Sequence, residues 1–262
     1  MLISAKTLRN YTLDSLDGEI GRAKDFLFDD RHWTIRYLVA ETGNWLPERQ
    51  VLLSPYSIVA ENETENANRR ALAIHLTKKQ VEASPSLESD APVSRQFESN
   101  YYGYYGWPTY WGGIYAWGAV PYIERDSSRW ASYPAAEQNG DAHLRSVHEI
   151  SRYHIEAADG RVGHVEDVIV DDETWTIRYL VIDTHSWWPG KKVLISPRWA
   201  TRISWEDQTL FLDHTRAAIK ASPEYTEEAL ITREYENTLY SHYDRLGYWL
   251  DEEPVRPYAR ST

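Results

Sequence analysis

Two small β-barrels in tandem, each followed by a short amphipathic helix, are the architecture this sequence predicts, in a mainly β chain. Three observations carry that expectation. A long internal repeat spans most of the chain, short strand-like runs are punctuated by turn residues, and aromatic residues recur at helical spacing after each repeat.

The repeat comes first because it fixes the register of everything else. Asp17-Gly18-Glu19-Ile20-Gly21 recurs as Asp159-Gly160-Arg161-Val162-Gly163, 142 residues further on. At the same offset Asp29-Asp30 recurs as Asp171-Asp172, and the run Trp33 to Val39 recurs unchanged from Trp175 to Val181. Trp45-Leu46-Pro47 answers Trp187-Trp188-Pro189, and Val51-Leu52-Leu53-Ser54-Pro55 answers Val193-Leu194-Ile195-Ser196-Pro197. A short deletion then shifts the offset to 138. Ala83-Ser84-Pro85 matches Ala221-Ser222-Pro223, Phe97-Glu98 matches Tyr235-Glu236, and Tyr110-Trp111 matches Tyr248-Trp249. The duplicated unit is therefore a barrel plus a tail.

Within each unit the strands follow from turn chemistry. Asp-Gly at 17–18 and 159–160 is a turn signal ahead of a strand. The strand from Glu19 to Phe28 should turn at Asp29-Asp30 and return through Trp33 to Glu41, placing Trp33, Ile35, Tyr37 and Val39 on one face. The Trp-x-Pro elements should close a tight loop. Strands near 50–54 and 71–75 complete a barrel, whose closure removes exposed sheet edges.

The tails read as helices. Ser94 and Thr232 are suitable N-caps. Phe97, Tyr101 and Tyr105 recur every fourth residue, as do Tyr235, Leu239 and Tyr243, and Gly106 and Gly247 should end the two helices. The resulting division is barrel 1–85, helix and aromatic linker 86–142, barrel 143–223, and C-terminal helix and tail 224–262.

Composition bounds the function. The chain of 262 residues has no cysteine, which excludes disulfides, thiolate metal sites and a cysteine nucleophile. Its net charge of −12 opposes non-specific binding to nucleic acid or to an anionic membrane surface. No apolar run approaches the roughly 20 residues that span a bilayer, and no signal peptide opens the chain. A cytoplasmic protein is the expectation.

At the repeated motifs the chain resembles the PRC-barrel family. The residues carrying the resemblance are Asp-Gly-x-Ile/Val-Gly, the acidic turn, Trp-Thr-Ile-Arg-Tyr-Leu-Val and Val-Leu-Leu/Ile-Ser-Pro, in both copies. The family is named for the cytoplasmic domain of the photosynthetic reaction centre's H subunit, and a related barrel forms part of a ribosome-maturation factor. Neither the membrane helix of the former nor the extra domain of the latter has a counterpart here. The resemblance implies a non-catalytic interaction or scaffolding module that docks on a protein assembly, open to homo-oligomerisation. A soluble accessory of photosynthetic-type electron or proton transfer is the alternative it implies.

Candidate chemistry is sparse. The 9 histidines have no partner histidine in the other copy and no metal-ligand spacing. No nucleophile elbow or phosphate-binding glycine loop is present, and neither a cofactor nor an enzymatic activity is expected. Asp25 and Asp167 are candidate structural partners of Arg36 and Arg178 across the ladder. A proton-handling role for these aspartates, implied by the resemblance, is the less favoured reading. Asp29-Asp30 and Asp171-Asp172 read as solvated turns rather than calcium ligands. The most unusual feature is Tyr101 to Tyr122, which has no charged residue. Its Tyr102, Tyr105, Trp107, Tyr110, Trp111 and Trp117 form the candidate interaction surface. Three readings are open for it: a seam packed across both barrels, which leads; an exposed docking surface; and a platform for stacking sugar or base rings.

Overall fold

The structure, a computed structural model, describes residues 1–47, 49–59, 70–88, 92–111, 117, 123, 127, 143–184 and 191–250. The loop element Trp187–Pro189, most of the linker between 112 and 142, and the tail beyond 250 lie outside the described residues.

The fold is mainly β. The first half runs β1 (Leu2–Ser4), a helical turn Ala5–Leu8, β2 (Thr12–Ser15), β3 (Gly18–Asp29), β4 (Thr34–Glu41), β5 (Arg49–Leu53), β6 (Ile58–Val59), β7 (Ala71–Ile74), a helix Lys78–Ala83, β8 (Leu87–Glu88) and the tail helix Arg95–Tyr105. The second half repeats the sequence of elements. It runs β9 (Leu144–Ser146), a helical turn Val147–Ile150, β10 (His154–Ala157), β11 (Gly160–Asp171), β12 (Ile177–Asp183), β13 (Lys192–Ile195), β14 (Ala200–Ser204), β15 (Thr209–Leu212), a helix Arg216–Ala221, β16 (Glu224–Tyr225) and the tail helix Arg233–His242.

The two eight-stranded sheets have corresponding strand orders, β6-β7-β2-β3-β4-β5-β8 and β14-β15-β10-β11-β12-β13-β16. β2 runs parallel to β7, and β10 to β15, while the remaining neighbours are antiparallel. The repeated Asp-Gly-x-Ile/Val-Gly motif shows why each residue is needed. Gly18 and Gly160 turn with φ of +130° and +127°. Ile20 and Val162 fall at a β-bulge and point into the core. A Cβ on Gly21 or Gly163 would come within 2.1 or 1.9 Å of the Glu41 or Asp183 carbonyl oxygen.

Each sheet holds one strand from the other half. β1 pairs with β11, setting Leu2, Ile3 and Ser4 against Asp171, Val170 and Ile169. β9 pairs with β3 in the matching register, setting Leu144, Arg145 and Ser146 against Asp29, Phe28 and Leu27. The helical turns that follow bury Ala5 and Leu8, and Val147 and Ile150. The halves are thus joined by a reciprocal exchange of their first strands.

The hairpin between β3 and β4 differs from expectation. Its register sets Asp25 opposite Val39 and Asp29 opposite Thr34, because bulges follow Ala23 and Leu27. Trp33 stands outside the strand with φ 55°, and β4 is buried on both faces from Thr34 to Ala40. Both tail helices begin at the expected caps, with Phe97 N–H donating to Ser94 Oγ and Tyr235 N–H to Thr232 Oγ, each at 3.2 Å. Gly106 ends the first helix in the left-handed region at φ 68°. The second ends differently: Asp244, at the position matching Gly106, takes the left-handed turn with φ 50°. Gly247 instead makes room for the Trp249 ring, which lies 2.2 Å from where its Cβ would be.

Candidate interaction site

The seam between the halves is built from hairpin tips and exchanged strands. Trp33 and Trp175 both adopt positive φ, rare for large side chains. Their carbonyl oxygens accept the sister hairpin's N–H groups, Ile177 to Trp33 at 2.7 Å and Ile35 to Trp175 at 2.8 Å. Thr34 and Thr176 form the bridge between them.

Asp25 and Asp167 anchor the exchanged strands. Ser146 Oγ donates to Asp25 at 2.5 Å and the His148 N–H at 3.1 Å. Ser4 Oγ donates likewise to Asp167, and the Lys6 N–H at 3.2 Å. Burial raises the Asp167 carboxyl, against the bond from Ser4. This corrects the expected pairing with Arg36 and Arg178. The bulges in the ladder carry Asp25 past Arg36, so each arginine meets the aspartate at the hairpin turn.

Arg36 Nη2 lies 2.9 Å from Asp29, and Arg178 Nη2 lies 2.9 Å from Asp171. Asp29 is only 4% exposed, so this carboxylate is not solvated, whereas Arg31 and His32 of the same turn are exposed. Asp29 also accepts from the Arg31 N–H at 2.8 Å and bonds the His32 ring at 2.9 Å. Burial acts to raise its pKa, yet the His32 bond and the Arg36 charge hold it well below the usual carboxylate range.

Above this pair lies the aromatic segment. The Arg36 guanidinium sits 3.9 Å from the Tyr110 ring centroid and 4.8 Å from that of Trp117. Arg178 is covered in the same way by Tyr248 at 3.9 Å. The Trp117 indole N–H crosses to the second half and donates to the Thr174 carbonyl at 2.9 Å. Tyr102, Tyr110 and Trp117 are buried, while Tyr105, Trp107 and Trp111 are half-buried against the core. Tyr105 and Trp107 stack at 4.4 Å. The six residues are packed inward, and Trp117 makes the segment part of the inter-unit seam. The rest of Tyr101–Tyr122, at 112–116 and 118–122, lies outside the described residues.

The first tail helix is held by a polar cluster of which the candidate residues included only Tyr110. Glu98, fully buried, accepts from Tyr37 at 3.1 Å, Tyr110 at 2.7 Å and Arg95 at 2.7 Å. Burial pushes its carboxyl up to about 7, against the opposing pull of Arg95 and the two hydroxyls. Tyr101 and Tyr102 fasten the same helix to β5. Tyr101 Oη donates to the Leu52 carbonyl at 2.9 Å and accepts from the Ser54 N–H at 3.1 Å. In the second half Tyr179 donates to Glu236 at 2.6 Å, and Arg233 lies 2.9 Å from it. The signal was present in the sequence, since Phe97-Glu98 and Tyr235-Glu236 recur in register within apolar helical stripes.

No group of three or more histidine, cysteine, aspartate or glutamate side chains among the described residues could hold a metal ion. No helix among them is long and apolar enough to cross a membrane.

Comparison with known families agrees with this architecture in the second half. Residues 146–218 match the PRC-barrel domain. No curated protein matches the chain.

Proposed function

We propose that the chain is a non-catalytic interaction module made of two PRC-type barrels, which docks on a protein assembly. The family match over residues 146–218 carries this reading. The corresponding strand order of β2–β8 supports extending it to the first half. The seam takes up the hairpin tips and Trp117, and we place docking on the outer faces. Leu230, Leu246 and Leu250, around the second tail helix, are 76%, 77% and 66% exposed and offer apolar contact there. An electron- or proton-transfer role has only the family resemblance behind it.

The test is crosslinking capture from native lysate, membranes included, with the intact chain and a Leu230→Ser, Leu246→Ser, Leu250→Ser variant. A defined protein partner held by the intact chain and lost by the folded variant supports docking through this face. A partner kept by both moves docking to another face. A folded chain that captures no partner reproducibly overturns the reading.

A further inference from the structure

We propose that the seam is also an interface between two copies of this chain, which exchange units so that the first half of each pairs with the second half of the other. This inference is independent of any docking partner.

The seam is self-complementary in the manner of a two-fold interface. Leu2–Ser4 on Ile169–Asp171 is answered by Leu144–Ser146 on Leu27–Asp29, and the Trp33 carbonyl bond by the Trp175 one. One edge of each long strand pairs with its own half along β4 or β12, but the opposite edge does so only along its first part, through Arg22 or His164. Without a sister, the later edge loses its backbone partner and the buried Asp167 loses Ser4 and Lys6. A unit therefore needs a sister. Nothing in these contacts requires that the sister belong to the same chain.

Charge opposes the pairing of two first halves. Lys6 Nζ lies 3.9 Å from Glu166 and 3.7 Å from Glu227. The first-half counterpart of Glu166 is Lys24, so pairing two first halves would oppose Lys6 with Lys24. Exchange between first and second halves keeps every seam contact, and it closes after two chains. The 25 residues 118–142 between Trp117 and the second half have a contour length on the order of 80 Å at about 3.3 Å per residue, ample for either arrangement. Joining two units in one chain supplies an effective concentration on the order of millimolar. The single chain therefore dominates in dilute solution, and the exchanged dimer grows with concentration.

The absence of native cysteine makes the test selective. Ile3 and Val170 are cross-strand partners, so the Ile3→Cys, Val170→Cys chain is unfolded, refolded at low and tenfold higher concentration, and oxidised. The expected result is an internally bridged monomer in the dilute sample and a several-fold larger fraction of disulfide-linked dimer in the concentrated one. Deleting residues 118–137 should make the dimer predominant. Wild-type chains with and without ¹⁵N, refolded together and weighed by native mass spectrometry, should give a mixed dimer and keep the test decisive if the cysteine chain misfolds. Monomer alone from the wild type at every concentration, or oxidised species mainly larger than dimers, would overturn the proposal.

Discussion

The Ser4 hydroxyl donates to the Asp167 carboxylate across 163 residues of sequence, and Ser146 makes the equivalent bond to Asp25. In both cases the serine caps a helical turn as well, with Thr7 and Glu149 N–H donating to the two hydroxyls. One small side chain therefore ends a strand, starts a helix and ties one half of the protein to the other.

Removing that tie should loosen the exchanged strand before the barrel. A hydrogen bond to a charged group contributes roughly 1.5–3 kcal/mol, so Ser4→Ala should lower stability by about that amount in urea unfolding. Amide exchange over Leu2–Leu8 should rise more than exchange over β12. Combining Ser4→Ala with Asp167→Ala should show coupling of roughly 0.5–3 kcal/mol. Strict additivity with unchanged exchange at the N-terminus would contradict the latch.

The glycine of the repeated motif makes a sharper case. Gly163→Ala would drive a methyl into the Asp183 carbonyl, whose strand is fully packed, and should cost at least about 3 kcal/mol, among the larger effects of a single substitution. Gly43→Ala is the contrasting control. Gly43 has φ +58° with nothing within 4 Å of its Cβ position, so only the left-handed conformation is penalised, by roughly 1–2 kcal/mol. Melting temperatures of the two variants should separate clearly, and equal losses would show that the close approach is not what selects glycine.

These glycines mark how far the sequence reaches. The two matching copies of Asp-Gly-x-Ile/Val-Gly and Trp-Thr-Ile-Arg-Tyr-Leu-Val announced the strands, and Ser94 and Thr232 announced the helices, because turn and cap chemistry is local. The partner of Arg36 was not legible. Simple alternation set it against Asp25, whereas bulges move the ladder and bring Asp29 into reach. The exchange of β1 and β9 was hidden for a different reason. Three-residue strands carry little periodicity, and Leu2-Ile3-Ser4 shares only its serine with Leu144-Arg145-Ser146 beyond the apolar first residue. For the aromatic segment Tyr101–Tyr122 the sequence leaves three readings open, because the partners of Trp117, Arg36 beneath it and the Thr174 carbonyl across the seam, are remote in sequence.

The Arg36–Asp29 pair should be worth more to break than its counterpart. Removing one partner of a buried pair leaves an uncompensated charge and costs about 3–5 kcal/mol. Asp29→Ala should fall in that range because the Arg36 side chain is fully buried. Asp171→Ala should cost less, since the Asp171 side chain is more open to water. The pKa of Asp29 is depressed, so its contribution is present above the ordinary carboxylate range and is lost as pH falls through its lower folded value. Acid titration of the wild type should therefore show a loss of stability below about pH 4 that Asp29→Ala no longer shows. An unchanged acid limb in the variant would remove Asp29 from that account.

Glu98 acts in the opposite sense. Burial raises its carboxyl from 4.5 to about 7, so between those values the folded state holds a proton that the unfolded chain has released. Stability from this group is then complete below 4.5 and is lost as pH rises through about 7. Above that pH the carboxylate is ionised in the folded protein, held by Arg95, Tyr37 and Tyr110 but deprived of water. Glu98→Gln keeps the acceptor for Tyr37 and Tyr110 and removes the ionisation, at the loss of the bond from Arg95. The melting temperature of the wild type should decline from about pH 5 to about pH 8 by a component that the variant lacks, so the two curves lie closest on the acid side and the wild type falls away from the variant toward the alkaline side. Amide exchange in Arg95–Tyr105 should follow the same trend in the wild type alone, because the carboxylate ties that helix to β4 and to the Tyr110 segment. Parallel curves for the two proteins across this range would show that Glu98 titrates as an ordinary carboxylate and that its burial does not govern how firmly the aromatic seam is held.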